Sequence, residues 1–152
     1  MNIELSNIEN IANRVVELYR NELDKQGINA SGTLYRNTKS RVELNGTHLI
    51  VYLNLEDYYK FVEDGRGPGK FPPIDAIEKW IKIKPIIPEP INGRVPDTRQ
   101  LAFLIARKIS REGFEGRKPL SNVINSPELQ NVIQSIKNEI VRQLKQQLKN
   151  GD

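Results

Sequence analysis

Gly65-Arg66-Gly67-Pro68-Gly69-Lys70 is the segment whose residue types most suggest chemistry, because glycine amides followed by a lysine can cradle phosphate. A nucleotide phosphate loop places four residues between its first glycine and the Gly-Lys pair, then a hydroxyl for magnesium, then a helix. Here three residues separate Gly65 from Gly69, Phe71 stands where the hydroxyl belongs, and Pro72-Pro73 breaks the chain where the helix should begin. The segment therefore reads as a loop, either free in solvent or docked on a neighbouring subunit through Arg66 and Lys70.

Glu56, Asp57, Glu63 and Asp64 form an acidic group just before it. Carboxylates with a nearby lysine can bind magnesium for phosphodiester hydrolysis. These crowd one short segment, without the carboxylate–x–lysine strand such a nuclease uses, so a solvated helix face is the plainer reading. His48 is the single histidine and the chain has no cysteine, which excludes a two-histidine site, a thiolate metal site and a disulfide. His48 reads as a hydrogen-bonded structural residue in a strand. No serine stands in a Gly-x-Ser-x-Gly context. No catalytic set, metal site or cofactor is expected.

A basic segment offers a different chemistry. Between Asp97 and Lys118 six cations (Arg99, Arg107, Lys108, Arg111, Arg117 and Lys118) face three carboxylates. Arg107, Lys108 and Arg111 share one face of a helix, because positions three and four apart are neighbours, and such a face can lie along phosphates. No helix-turn-helix pattern and no aromatic interleaving accompany it. Tyr58, Tyr59, Phe61 and Trp80 read as core and interface aromatics, with Val62, Trp80, Ile105 and Ile109 in the core.

The elements that position these groups are set by periodicity. With 152 residues the chain suits one α+β domain. The spacing of Ile8, Ile11, Ala12, Val15, Leu18, Tyr19 and Leu23 predicts an amphipathic helix over 7–26, opened by a Ser6/Glu9 capping box and stopped by Gly27. A turn or single helical turn covers 31–38. Asn45-Gly46 between 41–44 and 47–53 predicts a hairpin, and the all-apolar run 49–53 predicts a second strand covered on both faces. A short helix over 57–63 ends near Gly65. Pro73 opens a helix over 74–83 with Ile74, Ile77, Trp80 and Ile81 on one side.

Residues 84–96 carry four prolines and an Asn-Gly, so a protruding irregular loop is expected. Asp97 or Thr98 caps a helix to about 112, with Leu101, Ala102, Leu104, Ile105, Ala106 and Ile109 largely buried. A turn or small hairpin covers 113–119. Ser126 and Pro127 open a last helix, 127–149, whose stripe is Leu129, Val132, Ile133, Ile136, Ile140, Leu144 and Leu148. Its basic end, with Arg142, Lys145 and Lys149, is expected to project. The fold class is thus α+β: a small antiparallel sheet with an Asn-Gly hairpin, packed against several helices, with long N- and C-terminal helices.

Charge is uneven along the chain. Residues 1–64 hold 7 Lys/Arg against 10 Asp/Glu, and residues 65–152 hold 16 against 9. Such halves can attract copies head to tail, place a basic face on nucleic acid, or simply be a solvated surface of uneven charge. The longest apolar runs are too short for a bilayer and the N-terminus lacks signal-peptide character, so a cytosolic protein is expected.

Several blocks together resemble the tailed-phage head–tail joining proteins, the neck or tail-completion family. Ser31-Gly32-Thr33-Leu34 through Thr38 is similar to its Ser-Gly-x-Leu-x-x-Ser block, and Tyr59-Lys60-Phe61-Val62-Glu63-Asp64-Gly65 to its Tyr-x-x-Val-Glu-x-Gly block. Phe71-Pro72-Pro73 leading to Ile77 and Trp80-Ile81 resembles its Pro-Pro segment before a Trp-containing helix. Ala102 to Ile109, then Gly113 and Arg117-Lys118-Pro119-Leu120, resembles its Ala-rich basic helix and following turn. Arg66 replaces the family's usual Thr, and its usual Phe between Pro119 and Leu120 is absent.

The resemblance implies a non-enzymatic virion protein, assembled in the host cytoplasm. It implies a homo-oligomeric ring, six- or twelve-fold, at the head–tail junction, contacting portal or adaptor, tail and other neck proteins. DNA passes through the lumen without sequence specificity, and no membrane is involved. Arg66, Lys70, Phe71, Ile87 and Arg94 are then the candidate ring or neck contacts, and Arg107, Lys108 and Arg111 the candidate DNA-facing residues. The alternatives are a DNA-binding protein using the basic helix 98–112 and a magnesium-dependent nuclease on the acidic group.

Overall fold

The computed structural model describes residues 4–28, 32–84 and 86–150, so Ser31 and Pro85 lie outside the described residues. Helix α1 (Leu5–Lys25) and helix α7 (Pro127–Asn150) run antiparallel along one side. Between them in sequence come α2 (Thr33–Asn37), the hairpin β1 (Lys39–Asn45) and β2 (His48–Asn54), α3 (Tyr59–Asp64), a two-residue strand β3 (Gly65–Arg66), α4 (Ile74–Ile83), α5 (Thr98–Glu112), β4 (Phe114–Glu115) and α6 (Pro119–Ile124). The α+β class is as the periodicity requires. Two separate two-stranded antiparallel sheets are present, β1 with β2 and β3 with β4.

The apolar stripe of α1 serves two cores. Its first half, Ile8 and Ala12, packs with Val42 of β1 and with Val132 and Ile136 of α7. Its second half, Tyr19 and Leu23, packs with Leu34 of α2 and Val123 of α6. A third core is built by α4 and α5 with Ile86 of the loop between them: Ile77 and Ile81 lie on Ala102 and Ala106, whose small side chains let the two helices approach closely. The molecule is thus a body with a helical-hairpin arm, and the β3–β4 ribbon is where the chain leaves the body and returns.

Helix ends show where tertiary partners override local signals. The Ser6/Glu9 capping box does not form. The helix begins at Leu5, and Ser6 bonds to the Glu4 carboxylate instead. Gln143 on α7 takes over: its Oε1 accepts the Glu4 N–H at 2.7 Å and its Nε2 donates to the Glu4 carbonyl at 3.0 Å. The exit of α1 matches expectation, with Gly27 at φ 63° and Ile28 N–H closing back on Leu23. Asp97 caps α5 with Gln100 completing the box, and Ser126 Oγ accepts from Leu129 N–H at the start of α7.

The 49–53 strand is covered on one face only. Leu49, Val51 and Leu53 turn to the cores, while Ile50 and Tyr52 face outward opposite Glu43 and Arg41. Their outer cover is the Arg41 guanidinium, 4.8 Å over the Tyr52 ring and ion-paired to Glu43 at 2.8 Å, which leaves each residue half-buried. The last helix outruns its core: Leu148 is 72% exposed, and the buried stripe ends at Gln143.

Glu139 on α7 carries a pH response, set mainly by partners on its own helix. Glu139 accepts from Arg142, Gln143 and Asn7, which holds its carboxyl down at about 2, with the Arg142 bond the largest cause. A carboxyl depressed in the folded state stabilises it above the ordinary glutamate value of roughly 4.3, and that contribution disappears as pH falls toward the folded value. Glu139→Gln is therefore expected to be less stable than the parent at neutral pH and indistinguishable from it at the acid end of a denaturation series. A difference that persists undiminished into acid would show that the carboxylate charge is not what the helices use.

Candidate functional site

The residues singled out in the sequence gather around the β3–β4 ribbon and the arm it carries. Gly65 and Arg66 pair with Glu115 and Phe114. The backbones cross so closely that a methyl at Gly65 would strike the Phe114 carbonyl, one at Gly113 the Arg66 carbonyl, and one at Gly116 the Glu63 carbonyl. Arg117 N–H donates to the Val62 carbonyl at 2.8 Å, extending the seam into α3.

Glu63 is not on a solvated face. It is 8% exposed and its carboxylate accepts from Leu120 N–H at 2.8 Å, from Ser121 N–H at 2.9 Å and from the Ser121 hydroxyl. It caps α6 from a distant part of the chain, where Lys118 occupies the left-handed region (φ 53°) and supplies no cap of its own. A Pro at the first helical position with no Ser, Thr, Asp or Asn before it was the available signal that the cap comes from elsewhere. Its negative charge also acts on Tyr19, whose phenol is pushed up to about 12, first by burial and then by Glu63. Among the described residues no three carboxylates or histidines converge on a common point. His48 is exposed at the hairpin end, where its ring meets the Thr47 hydroxyl at 3.5 Å, because the tight Asn-Gly turn puts it outside the packed part of the strand.

The glycine loop is tied down rather than left to order on contact. The Arg66 guanidinium bonds to the Lys70 carbonyl across the loop, so Arg66 is half-buried and spent internally while Lys70 stays exposed. Gly69 N–H donates to the Ser110 carbonyl at 2.8 Å and the Ser110 hydroxyl to the Gly69 carbonyl at 2.6 Å, pinning the loop to α5. The described residues of the 84–96 segment are irregular apart from one turn. Asn92 and Gly93 both take positive φ and close Ile91 on Arg94 in a second tight turn.

The basic segment divides. Arg99 bridges Asp75 at 3.2 Å and Glu78 at 3.3 Å, fastening α5 to α4. Arg117 donates to the Gln26 carbonyl at 2.7 Å and Lys84 to the Gly27 carbonyl at 2.6 Å, so two cations meet the carbonyl end of α1. Arg107, Lys108 and Arg111 remain exposed on α5 with no ion pair among the described residues.

Two apolar grooves flank the arm. One, of about 510 Å³, is lined by Ile91, Arg94, Val95, Phe103 and Leu104, with Phe71 against Phe103 at 5.6 Å. Leu104, expected inside, lies 37% exposed on this wall, since the α4–α5 core uses the Ala102–Ala106 face instead. The other, of about 320 Å³, sits between body and arm and is lined by Tyr58, Phe61, Trp80 and Phe114. Trp80 is not core as expected. It is 40% exposed, because α4 packs on α5 through its Ile77–Ile81 face and the ring points toward the body. Val62, Ile105 and Ile109 are packed at the edges of the cores.

Fold and site together define an α+β protein with exposed apolar grooves on either side of its α4–α5 arm. Comparisons with protein-family models, with curated proteins and with solved structures found no match. No helix among the described residues is long and apolar enough to cross a membrane.

Proposed function

We propose that this chain is a structural virion protein of a tailed phage that forms a ring at the head–tail junction, with DNA passing through the lumen. The observation that carries the reading is convergence. The blocks Tyr59 to Gly65, Phe71 to Ile81 and Ala102 to Leu120, which resemble the head–tail joining family, are separate stretches of the sequence, and they build one unit of ribbon, buried glutamate and arm. Their shared residues are used for framework, as an assembly part requires. Exposed aromatic grooves on either side of that framework suit contact with neighbouring subunits.

The test is mass and location. Light scattering of the purified chain, alone and with portal and tail proteins, is expected to show a closed oligomer, and antibody labelling is expected to mark the virion neck. A chain that stays monomeric with those proteins and never enters virions would sink the proposal.

The free cations on α5 favour a second reading, a DNA-binding protein. Substituting Arg107, Lys108 and Arg111 together by alanine is expected to lower the salt slope of duplex binding by about 2–3, since each phosphate contact contributes about 0.9. In a ring the same variant keeps the oligomer mass and loses only this binding. Tight, salt-dependent binding by a monomer would favour the second reading over the first.

A further inference from the structure

The groove between body and arm has a chemistry that a particular segment of this chain matches. Its walls are the rings of Tyr58, Phe61, Trp80 and Phe114, all more than a third exposed. Lys84 and Arg117 stand at its rim, bonded to the end of α1, and Glu115 lines it as well. Aromatic grooves of this kind bind extended proline-rich segments, because the ligand is already ordered and the flat rings pack on proline and aliphatic side chains.

Residues 86–91 read Ile-Ile-Pro-Glu-Pro-Ile. Pro88 and Pro90 fix their own φ, and each pushes the residue before it out of the helical region, so Ile87 to Pro90 is held extended by covalent constraint. Ile87 is 91% exposed, an aliphatic side chain presented to solvent on a stiff support. Glu89 is exposed beside it and opposite in sign to the two rim cations. The segment does not fill its own groove. The chain leaves the groove wall at Lys84 in extended conformation, and the Asn92-Gly93 turn holds its far end at Ile91 beside Phe103 and Leu104 on the other groove.

We propose that residues 87–90 of one copy, held out between Ile86 on the α4–α5 core and Ile91 at the other groove, dock in the Tyr58–Phe61–Trp80–Phe114 groove of the next copy, with Glu89 against Lys84 and Arg117. The contact joins two different patches, so it runs head to tail and closes into a ring when the rotation allows. It deepens the ring reading and rests on it for closure.

Trp80 is the only tryptophan, so its emission reports the groove directly. A synthetic peptide of residues 86–92 is expected to shift that emission to the blue and to saturate. Phe61→Ser in the chain is expected to weaken binding roughly tenfold or more, as loss of an aromatic anchor does. Glu89→Lys in the peptide is expected to weaken it further at low salt than at high salt. The full chain supplies the second arm. Ile87→Asp and Phe61→Ser chains, each altered at an exposed position, are expected to be monomers under conditions where the parent associates. Mixed, they are expected to form a dimer that stops at two, because only one intact groove and one intact segment remain to meet.

Absence of any Trp80 response to saturating peptide, or parent-like rings in the Ile87→Asp chain, would overturn the docking. The second of these results would leave the ring reading intact. Peptide binding by a chain that never joins a virion would support the docking and remove the neck assignment.

Discussion

Glu63→Ala is expected to lower stability by about 3 kcal/mol, because it removes a charged acceptor from three donors at the start of α6. That loss is smaller than three full charge-assisted bonds. First-turn amides regain some water once the carboxylate is gone, and a missing cap alone costs about 0.5–2 kcal/mol. For a chain of this size the midpoint of thermal unfolding should fall by roughly 6–12 °C. Glu63→Gln keeps an acceptor oxygen and loses the charge, so it should fall between parent and alanine variant. It should also let the Tyr19 phenol titrate at lower pH, since the nearby negative charge is gone. Urea denaturation checks the first expectation and ultraviolet titration of tyrosine the second. An alanine variant as stable as the parent would mean that α6 finds its cap elsewhere.

Gly116→Ala is expected to be worse, with a loss of about 3–5 kcal/mol. The added methyl would overlap the Glu63 carbonyl and the backbone of Asp64, and backbone cannot rotate away as a side chain can. Relief requires the two chains to part, which also pulls Glu63 off α6 and frees the root of the arm. Against a total stability of about 5–15 kcal/mol, such a change leaves little margin. Gly67 is the control: an added methyl there meets nothing within 4 Å, so Gly67→Ala should stay within about 0.5 kcal/mol of the parent. Hydrogen exchange distinguishes the mechanism, because α4 and α5 should lose protection together in the Gly116 variant. Equal midpoints for the two alanine variants would show that the backbone crossing has room for a methyl.

Much of the fold was legible in the chain because the signals are local. The Asn45-Gly46 hairpin, the Gly27 stop, the Asp97 and Ser126 caps and the helical stripes depend on neighbours a few residues away, and each appears where its pattern places it. The failures share a cause. Ser6 lost its capping role to Gln143, which lies 139 residues from Glu4. Glu63 looked like surface because its partners, Leu120 and Ser121, are 57 and 58 residues away. Trp80 and Leu104 looked buried because their spacing is apolar, yet the α4–α5 pair packs through its Ile77–Ile81 and Ala102–Ala106 faces and leaves these two side chains partly exposed.

Residue types alone therefore determined the α+β class, its helices and hairpin, and, with no cysteine, the lack of a thiolate set, since these depend on spacing and composition. Tertiary structure decided which charges are spent and which remain. Arg66 and Arg99 are engaged in holding loop and arm, and Arg117 holds the end of α1 from the groove rim, while Arg107, Lys108 and Arg111 stay in solvent. It also decided that Gly65, Gly113 and Gly116 mark a backbone crossing. The reason is physical: a glycine's meaning lies in what approaches it, and what approaches these comes from the far side of the arm.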